Sequence, residues 1–248
     1  MNNPFSLENK TILITGASSG IGQSVAIESS KMGANIILLG RSSERLKVTK
    51  NQLEGSGHVY YQCDLTKEEE LQEVVEKCPL IDGIVHSAGV GLTLPFKFTT
   101  SSELDRMMNV NFKAPVVLTQ KLLKKKKVNK NSSIVYMGSI DGPITGHIGN
   151  SIYAASKGAL VASAKSQAVE LANQGIRVNC ILPGRVETPL INRGNISEEQ
   201  VEKNKLLYPL KRYARPEEIA YYTIYLLSDA SSFTTGSSLI IDGGFTLI

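Results

Sequence analysis

Tyr153 and Lys157 stand four positions apart in SIYAASKGAL, among side chains that are nearly all small. A helical repeat of about 3.6 residues puts the two on one face, one turn apart. A phenol can give a proton or, once ionised, take one. Its free pKa of about 10 is unsuited to neutral solution, and a fixed ammonium beside it favours the phenolate and lowers that value. The same spacing also describes a plain surface contact worth a few tenths of a kcal/mol, so spacing alone leaves both readings open.

A second cluster is TGASSGIG, where Gly16, Gly20 and Gly22 follow a β-rich run and open a helical one. Glycine lets backbone come close to a pyrophosphate, and a helix N-terminus offers free amides and a positive dipole to an anion. A dinucleotide is the natural ligand, with Ser18, Ser19 and Ile21 in the same turn. The spacing differs from the commoner G-x-G-x-x-G, and tight turns alone also use such glycines. Where an acid would bond the adenosine ribose hydroxyls at the end of the second strand, the chain has Gly40, then Arg41 and Ser42. A guanidinium with hydroxyls suits a phosphorylated ribose, which favours NADP over NAD; otherwise Arg41 is a solvated loop residue.

The elements that must hold these residues alternate along the chain. From Lys10 onward, short β-rich runs (TILITG, NIILLG, HVYYQCDL, IDGIVHSAG, SSIVYMGS, IRVNCILPG, SSLIIDGG) are separated by helical stretches. That alternation predicts an α/β fold of the Rossmann type: a doubly wound, seven-stranded parallel sheet with helices on both faces. No repeat and no Pro/Gly/Ser linker divides the 248 residues, so one domain covering 1–248 is expected. Pro115 inside SSELDRMMNVNFKAPVVLTQKLLKK predicts a kinked helix. The polar stretch 185–215, directly after a strand, is expected to be a mobile substrate lid.

Composition narrows the function. With 27 basic and 23 acidic residues the net charge is +4, too small an excess to imply a nucleic-acid partner. The run KLLKKKKVNK, Lys121 to Lys130, is a solvated helix end or a docking patch for an acidic partner. Three scattered cysteines read as reduced core thiols, and three histidines make a metal site improbable, so none is expected. The N-terminal residues lack a leader pattern and no run approaches a spanning helix, which reads as a cytoplasmic protein without membrane contact.

Taken in order, several motifs resemble the short-chain dehydrogenase/reductases. They are the glycine turn, Asp64-Leu65 after strand three, HSAG after strand four, Asn111, Ser139, Tyr153-x-x-x-Lys157 and Pro183-Gly184. The resemblance implies an NAD(P)-dependent enzyme in which Tyr153 is the proton donor to a carbonyl and Ser139 gives the second hydrogen bond. It also implies that Lys157 activates Tyr153 and bonds the nicotinamide ribose, and that Asn111 holds a water on the proton path. Asp64 would bond adenine with Leu65 beside the ring, Ala88 and Gly89 would offer backbone, and Pro183, Gly184, Val186 and Thr188 would run along the nicotinamide. Read singly, Asn111 could be a capping amide, Ser139 a turn hydroxyl and Asp64 an N-cap region acid.

Two positions depart from the family pattern. One is Gly40; the other is His86-Ser87-Ala88-Gly89, where the family has Asn-Asn-Ala-Gly, and His86 is read as structural. The implied reaction is NADPH-dependent reduction of a ketone, resembling the 3-oxoacyl-(acyl-carrier-protein) reductases, with an acyl carrier protein as the partner the lysine run would dock. The alternatives are an NAD(P)-dependent alcohol or sugar dehydrogenase, and a cofactor-sensing binding protein without turnover. A homotetramer is expected from the same resemblance.

Overall fold

The structure is a computed structural model, and it describes residues 3–189 and 197–248. Its sheet contains β1 (Thr11–Thr15), β2 (Asn35–Gly40), β3 (Val59–Gln62), β4 (Ile81–His86), β5 (Val128–Met137), β6 (Arg177–Pro183) and β7 (Ser238–Ile241). The order is β3-β2-β1-β4-β5-β6-β7, and every pairing is parallel. Chain direction across the sheet reverses between β1 and β4. The strand ends there form the crevice in which ligands of open α/β sheets bind.

Both faces of the sheet are buried, which is why the strands read as near-continuous apolar runs. Along β1, Leu13 packs into one core while Ile12 and Ile14 pack into the other. The helices α1 (Gly20–Lys31), α2 (Ser43–Lys50), α3 (Glu68–Lys77), α4 (Ser101–Met108), α5 (Ala114–Lys124), α6 (Ser151–Leu171), α7 (Glu198–Lys205) and α8 (Pro216–Leu227) complete the layers. Leu71 and Val75 of α3, Leu118 and Leu122 of α5, and Leu160 and Ala164 of α6 cover the Leu13 face. Val25 of α1 and Ile219 and Leu227 of α8 cover the opposite one.

The long helix expected around Pro115 is a more specific structure than a kink. It runs as α4, a π turn over Asn109–Lys113, and then α5, with Pro115 in the first turn of α5. Proline has no N–H and its ring crowds the carbonyl four residues back, here that of Asn111. One wider turn relieves the clash and lets the chain continue as helix. The lysine run is also divided. Lys121 is paired with Glu68 and Lys127 donates to the carbonyls of Cys78 and Glu76, while Lys130 lies in β5. Lys124, Lys125, Lys126 and Lys130 remain exposed.

The ends of the 185–215 insertion are pinned to each other. Glu187 N–H donates to the Ala214 carbonyl and Ala214 N–H to that of Arg185. Arg212 closes a two-point ion pair on Glu218 of α8. The expected lid falls partly on residues 190–196, which lie outside the described residues.

Candidate active site

The first cavity, about 190 Å³, opens at the end of β1 and is lined by the glycine turn, Arg41, Asp64, Leu65, Ala88 and Gly89, among others. Gly16 and Gly20 have left-handed φ of 66° and 57°. A Cβ on Gly16 would lie 2.8 Å from the Ala88 backbone, and one on Gly22 would lie 2.5 Å from the Gly16 carbonyl oxygen. Both glycines are therefore needed for backbone to pass backbone, whatever binds there. The turn is tied to the next loop by Thr15, whose hydroxyl accepts from the N–H groups of Ser87 and Ala88, each at 3.1 Å. At the start of α1 no side chain caps the free amides, and the first turn holds no acid. Left uncapped and without a carboxylate, that helix end suits an anion.

Beyond the end of β2, Arg41 is joined in the lining of this cavity by Arg45, a residue not singled out from the sequence. It lies in the first turn of α2, just past the N-cap Ser42, and a second arginine so soon after Arg41 was the signal that could have found it. Ser42 stands apart. Its hydroxyl accepts from Arg45 N–H at 3.3 Å as the N-cap of α2 and donates to Glu44, and it does not line the cavity. Asp64 does line it, and the carboxylate is held below its usual range by bonds from Thr66 and by the charge of Arg41, which together outweigh burial. The lining thus offers main-chain amides and two guanidinium groups, donors for anionic groups, and a carboxylate that can accept from an amine.

A second cavity, about 410 Å³, shares Ile21 and Thr188 with the first and holds Ser139 and Tyr153 on its wall. Pro183, Gly184 and Val186 line this one rather than the first. A Cβ on Gly20 would come within 3.2 Å of the Cβ and methyl of Thr188, so Thr188 sits against the glycine turn. Ser139 leaves the end of β5, and its Oγ accepts the Asp141 N–H at 3.1 Å. That leaves its own proton free to donate.

Lys157 lies one turn along α6 from Tyr153, its Nζ donating to the Met137 carbonyl at 2.7 Å and lying 5.9 Å from the Tyr153 ring centre. Burial pulls the Lys157 ammonium down to about 8. Burial also pushes the Tyr153 phenol up to about 12, against the opposing effect of its bond with Ser139 and with the Asp141 carboxylate adding to the rise. The expected lowering by Lys157 is thus absent here. Loss of water around the phenol dominates, and the Lys157 charge does not offset it.

Asn111 is buried in the π turn, with every polar atom of its side chain engaged. Its Oδ1 accepts Val90 N–H at 2.8 Å, and its Nδ2 donates to the Val90 carbonyl and to Ser156 Oγ. The amide therefore fixes the loop after β4 against α6, with its N–H groups spent on protein partners. Its main-chain carbonyl is different: residue 115 is proline, so the usual i+4 donor is missing.

His86 stacks on Tyr136 at 4.7 Å and meets Thr119 Oγ1 at 2.7 Å, while its Nδ1 has no partner among the described residues. Burial drives its pKa down to about 3. The ring is neutral at any working pH and bridges β4 to α5, as a structural imidazole would.

An open α/β sheet with an uncapped glycine turn at its switch point and a Ser-Tyr-Lys group at the adjoining pocket defines a dinucleotide-dependent oxidoreductase. Residues 16–246 match the family described as enoyl-(acyl carrier protein) reductase. The chain belongs to the short-chain dehydrogenase/reductases, NAD(P)-dependent enzymes acting on CH–OH and C=O groups.

The chain is 33% identical over 243 residues to the 3-oxoacyl-(acyl-carrier-protein) reductase of Rickettsia felis, covering 98% of this chain and 99% of that one. It is 36% identical over 247 residues to the reductase of the same name from Thermotoga maritima, covering 97% and 99%. Among solved structures, a dehydrogenase/reductase from Sinorhizobium meliloti superposes with a TM-score of 0.89 at 29% identity, covering 98% and 97%.

The buried thiols and Lys157 make alkaline stability testable. Burial pushes Cys63 and Cys180 up to about 12 and Cys78 to about 11, from 9.0. Above pH 9 the unfolded chain loses three thiol protons that the folded chain keeps, which destabilises the fold. Lys157 acts oppositely, because its folded pKa lies below the unfolded 10.5, so its destabilising effect is relieved between about pH 8 and 10.5. Between about pH 9 and 10 the net is two protons, so urea midpoints should hold level to about pH 9 and stability should then fall by about 2–3 kcal/mol per pH unit; above pH 10 the phenols of Tyr136 and Tyr153, pushed by burial from 10.0 up to about 12, steepen the fall. An alanine triple variant at the cysteines should lose most of that slope; an unchanged slope would refute the assignment.

Proposed function

We propose that this protein is an NADPH-dependent reductase that converts a ketone to a secondary alcohol. One observation carries the reading: Ser139 and Tyr153 share a wall at the mouth of the dinucleotide cavity, with Lys157 one turn behind. A carbonyl accepting hydride gains negative charge on oxygen, so it needs a proton donor and a second hydrogen bond. Ser139 donates the second bond, its Oγ oriented by Asp141 N–H. Tyr153, on the same wall, donates the proton.

The nicotinamide, when bound, supplies the hydride. The α1 amides and the glycine turn would hold the pyrophosphate, Arg41 and Arg45 the ribose phosphate, and Asp64 the adenine. Lys157 would bond the nicotinamide ribose, and the Asn111 carbonyl, lacking its helical donor, would take a water that returns a proton toward Tyr153. These roles follow the family likeness together with the positions described above.

The names of the relatives nominate a 3-oxoacyl thioester as substrate. The same likeness supports a cytoplasmic homotetramer and the docking of an acidic carrier protein on the exposed lysines between 124 and 130. A polar wall in the second cavity favours a second reading, an alcohol or sugar-type dehydrogenase. The test is oxidation of NADPH by the purified chain over a panel of ketones and a short 3-oxoacyl thioester. Turnover of at least one is the expected result, and tight NADPH binding with no turnover of any ketone or alcohol would favour a cofactor-sensing protein instead.

A further inference from the structure

Beyond Ser139 and Tyr153, the wall of the second cavity carries Asp141, His147 and Asn150. Asp141 is only 7% exposed. His147 Nδ1 meets its Oδ1, and Asn150 Nδ2 donates to its Oδ2 at 2.7 Å. Asn150 in turn accepts from the Thr93 hydroxyl at 3.3 Å, which ties the loop after β4 into the same chain of bonds. Gly142, with φ of 101°, packs directly against the Ala154 carbonyl, so the carboxylate is fixed relative to the first turn of α6 and to Tyr153.

Each carboxylate oxygen accepts one bond from the protein and can accept another. A methylene chain packed on this wall would dehydrate the carboxylate without replacing its water, which is costly. An anionic group would meet its charge. A cationic group would meet Arg185 on the same cavity wall. A neutral hydrogen-bond donor is what remains.

We infer that Asp141, held by His147 and Asn150, selects the substrate by accepting a hydrogen bond from a hydroxyl close to the reacting carbonyl. The substrate class is then a small hydroxylated ketone and its polyol product, in preference to a ketone with a plain alkyl chain. This rests on the ketone-reductase reading and names what lies beyond the carbonyl.

The experiment compares kcat/KM with NADPH for two matched pairs, hydroxyacetone against butanone and dihydroxyacetone against diethyl ketone, with a short 3-oxoacyl thioester alongside. Wild type, Asp141→Asn and Asp141→Ala are measured together, so that intrinsic carbonyl reactivity cancels in the ratios. The wild type should favour the hydroxylated member by about 10–100-fold relative to Asp141→Ala, the size expected of a bond to a charged acceptor. Asp141→Asn should keep part of that preference and carry its loss mainly in KM.

A structural role would not move a second readout. The carboxylate raises the Tyr153 pKa, so Asp141→Asn should shift the pH profile of alcohol oxidation, which needs the phenolate, toward lower pH. If Asp141→Ala does not fold, the wild type and Asp141→Asn still decide. Equal treatment of both pairs by the wild type, or a preference that survives at Asp141→Ala, overturns the inference while NADPH oxidation by any ketone leaves the reductase reading standing. If no carbonyl in the set oxidises NADPH, the reductase reading fails and this inference with it.

Discussion

Replacing Tyr153 with phenylalanine should lower kcat for ketone reduction by about 10²–10⁴-fold, the usual worth of a positioned general acid. The phenylalanine ring fills the same space and keeps the packing beside Ile152 and Val90. What it removes is one hydroxyl, and with it the proposed proton donor. NADPH affinity should change little, because in the proposed mode the phosphates, ribose phosphate and adenine would be held by the other cavity. Circular dichroism and a thermal melt report whether the variant is folded; NADPH fluorescence reports binding; stopped assays report turnover. Loss of turnover with binding intact is the expected pattern. Full activity in a folded variant would remove Tyr153 from the mechanism and leave the proton to another group.

The smaller loss expected at Ser139→Ala follows from the same geometry. In the proposed mechanism Ser139 stabilises the developing charge but moves no proton, and water can enter in its place. The double variant should therefore lose less than the product of the two single losses, since both residues act on one oxygen atom.

How much of this was legible in the sequence depended on whether a feature is local. The alternation of apolar runs with helical stretches predicts a seven-stranded parallel sheet because both faces of such a sheet are buried, and the strands therefore carry no polar face to blur the pattern. The glycine turn is legible for the same reason, since a left-handed φ and close backbone contact leave little choice of residue. Asp141, His147 and Asn150 were not legible as a group. Their loop has no helical or strand period, and only the folded backbone shows that one carboxylate meets both of the others. The π turn escaped as well, because a proline in a helical stretch signals disruption without specifying its form. Spacing located Tyr153 and Lys157 but not their titration, which is dominated by burial.

Choice of cofactor gives the other large effect. Arg41→Ala combined with Arg45→Ala should cut kcat/KM for NADPH by about 10²–10⁴-fold, taking about 1.5–3 kcal/mol for each bond to a charged group. The NADH value should scarcely change, because a ribose without phosphate makes no use of either guanidinium. Arg41→Ala alone should give about 10–100-fold, with the effect shrinking in high salt, since the partly exposed cavity mouth is open to screening.

Gly40 sharpens the test. A Cβ there would come within 3.2 Å of Leu46 Cδ2 and 3.5 Å of Ser18 Oγ, so an acid at this position is tight but needs only a leucine methyl to give way. Gly40→Asp in the double-alanine background should therefore raise NADH use, its carboxylate taking the ribose hydroxyls and repelling a 2′-phosphate. If the double-alanine variant kept its NADPH preference, the two arginines would be solvated side chains and the preference would have to arise elsewhere in the cavity. If instead NADPH and NADH fell together, the loss would lie in the shape of the adenosine site, since charge recognition of a single phosphate cannot weaken a cofactor that lacks it.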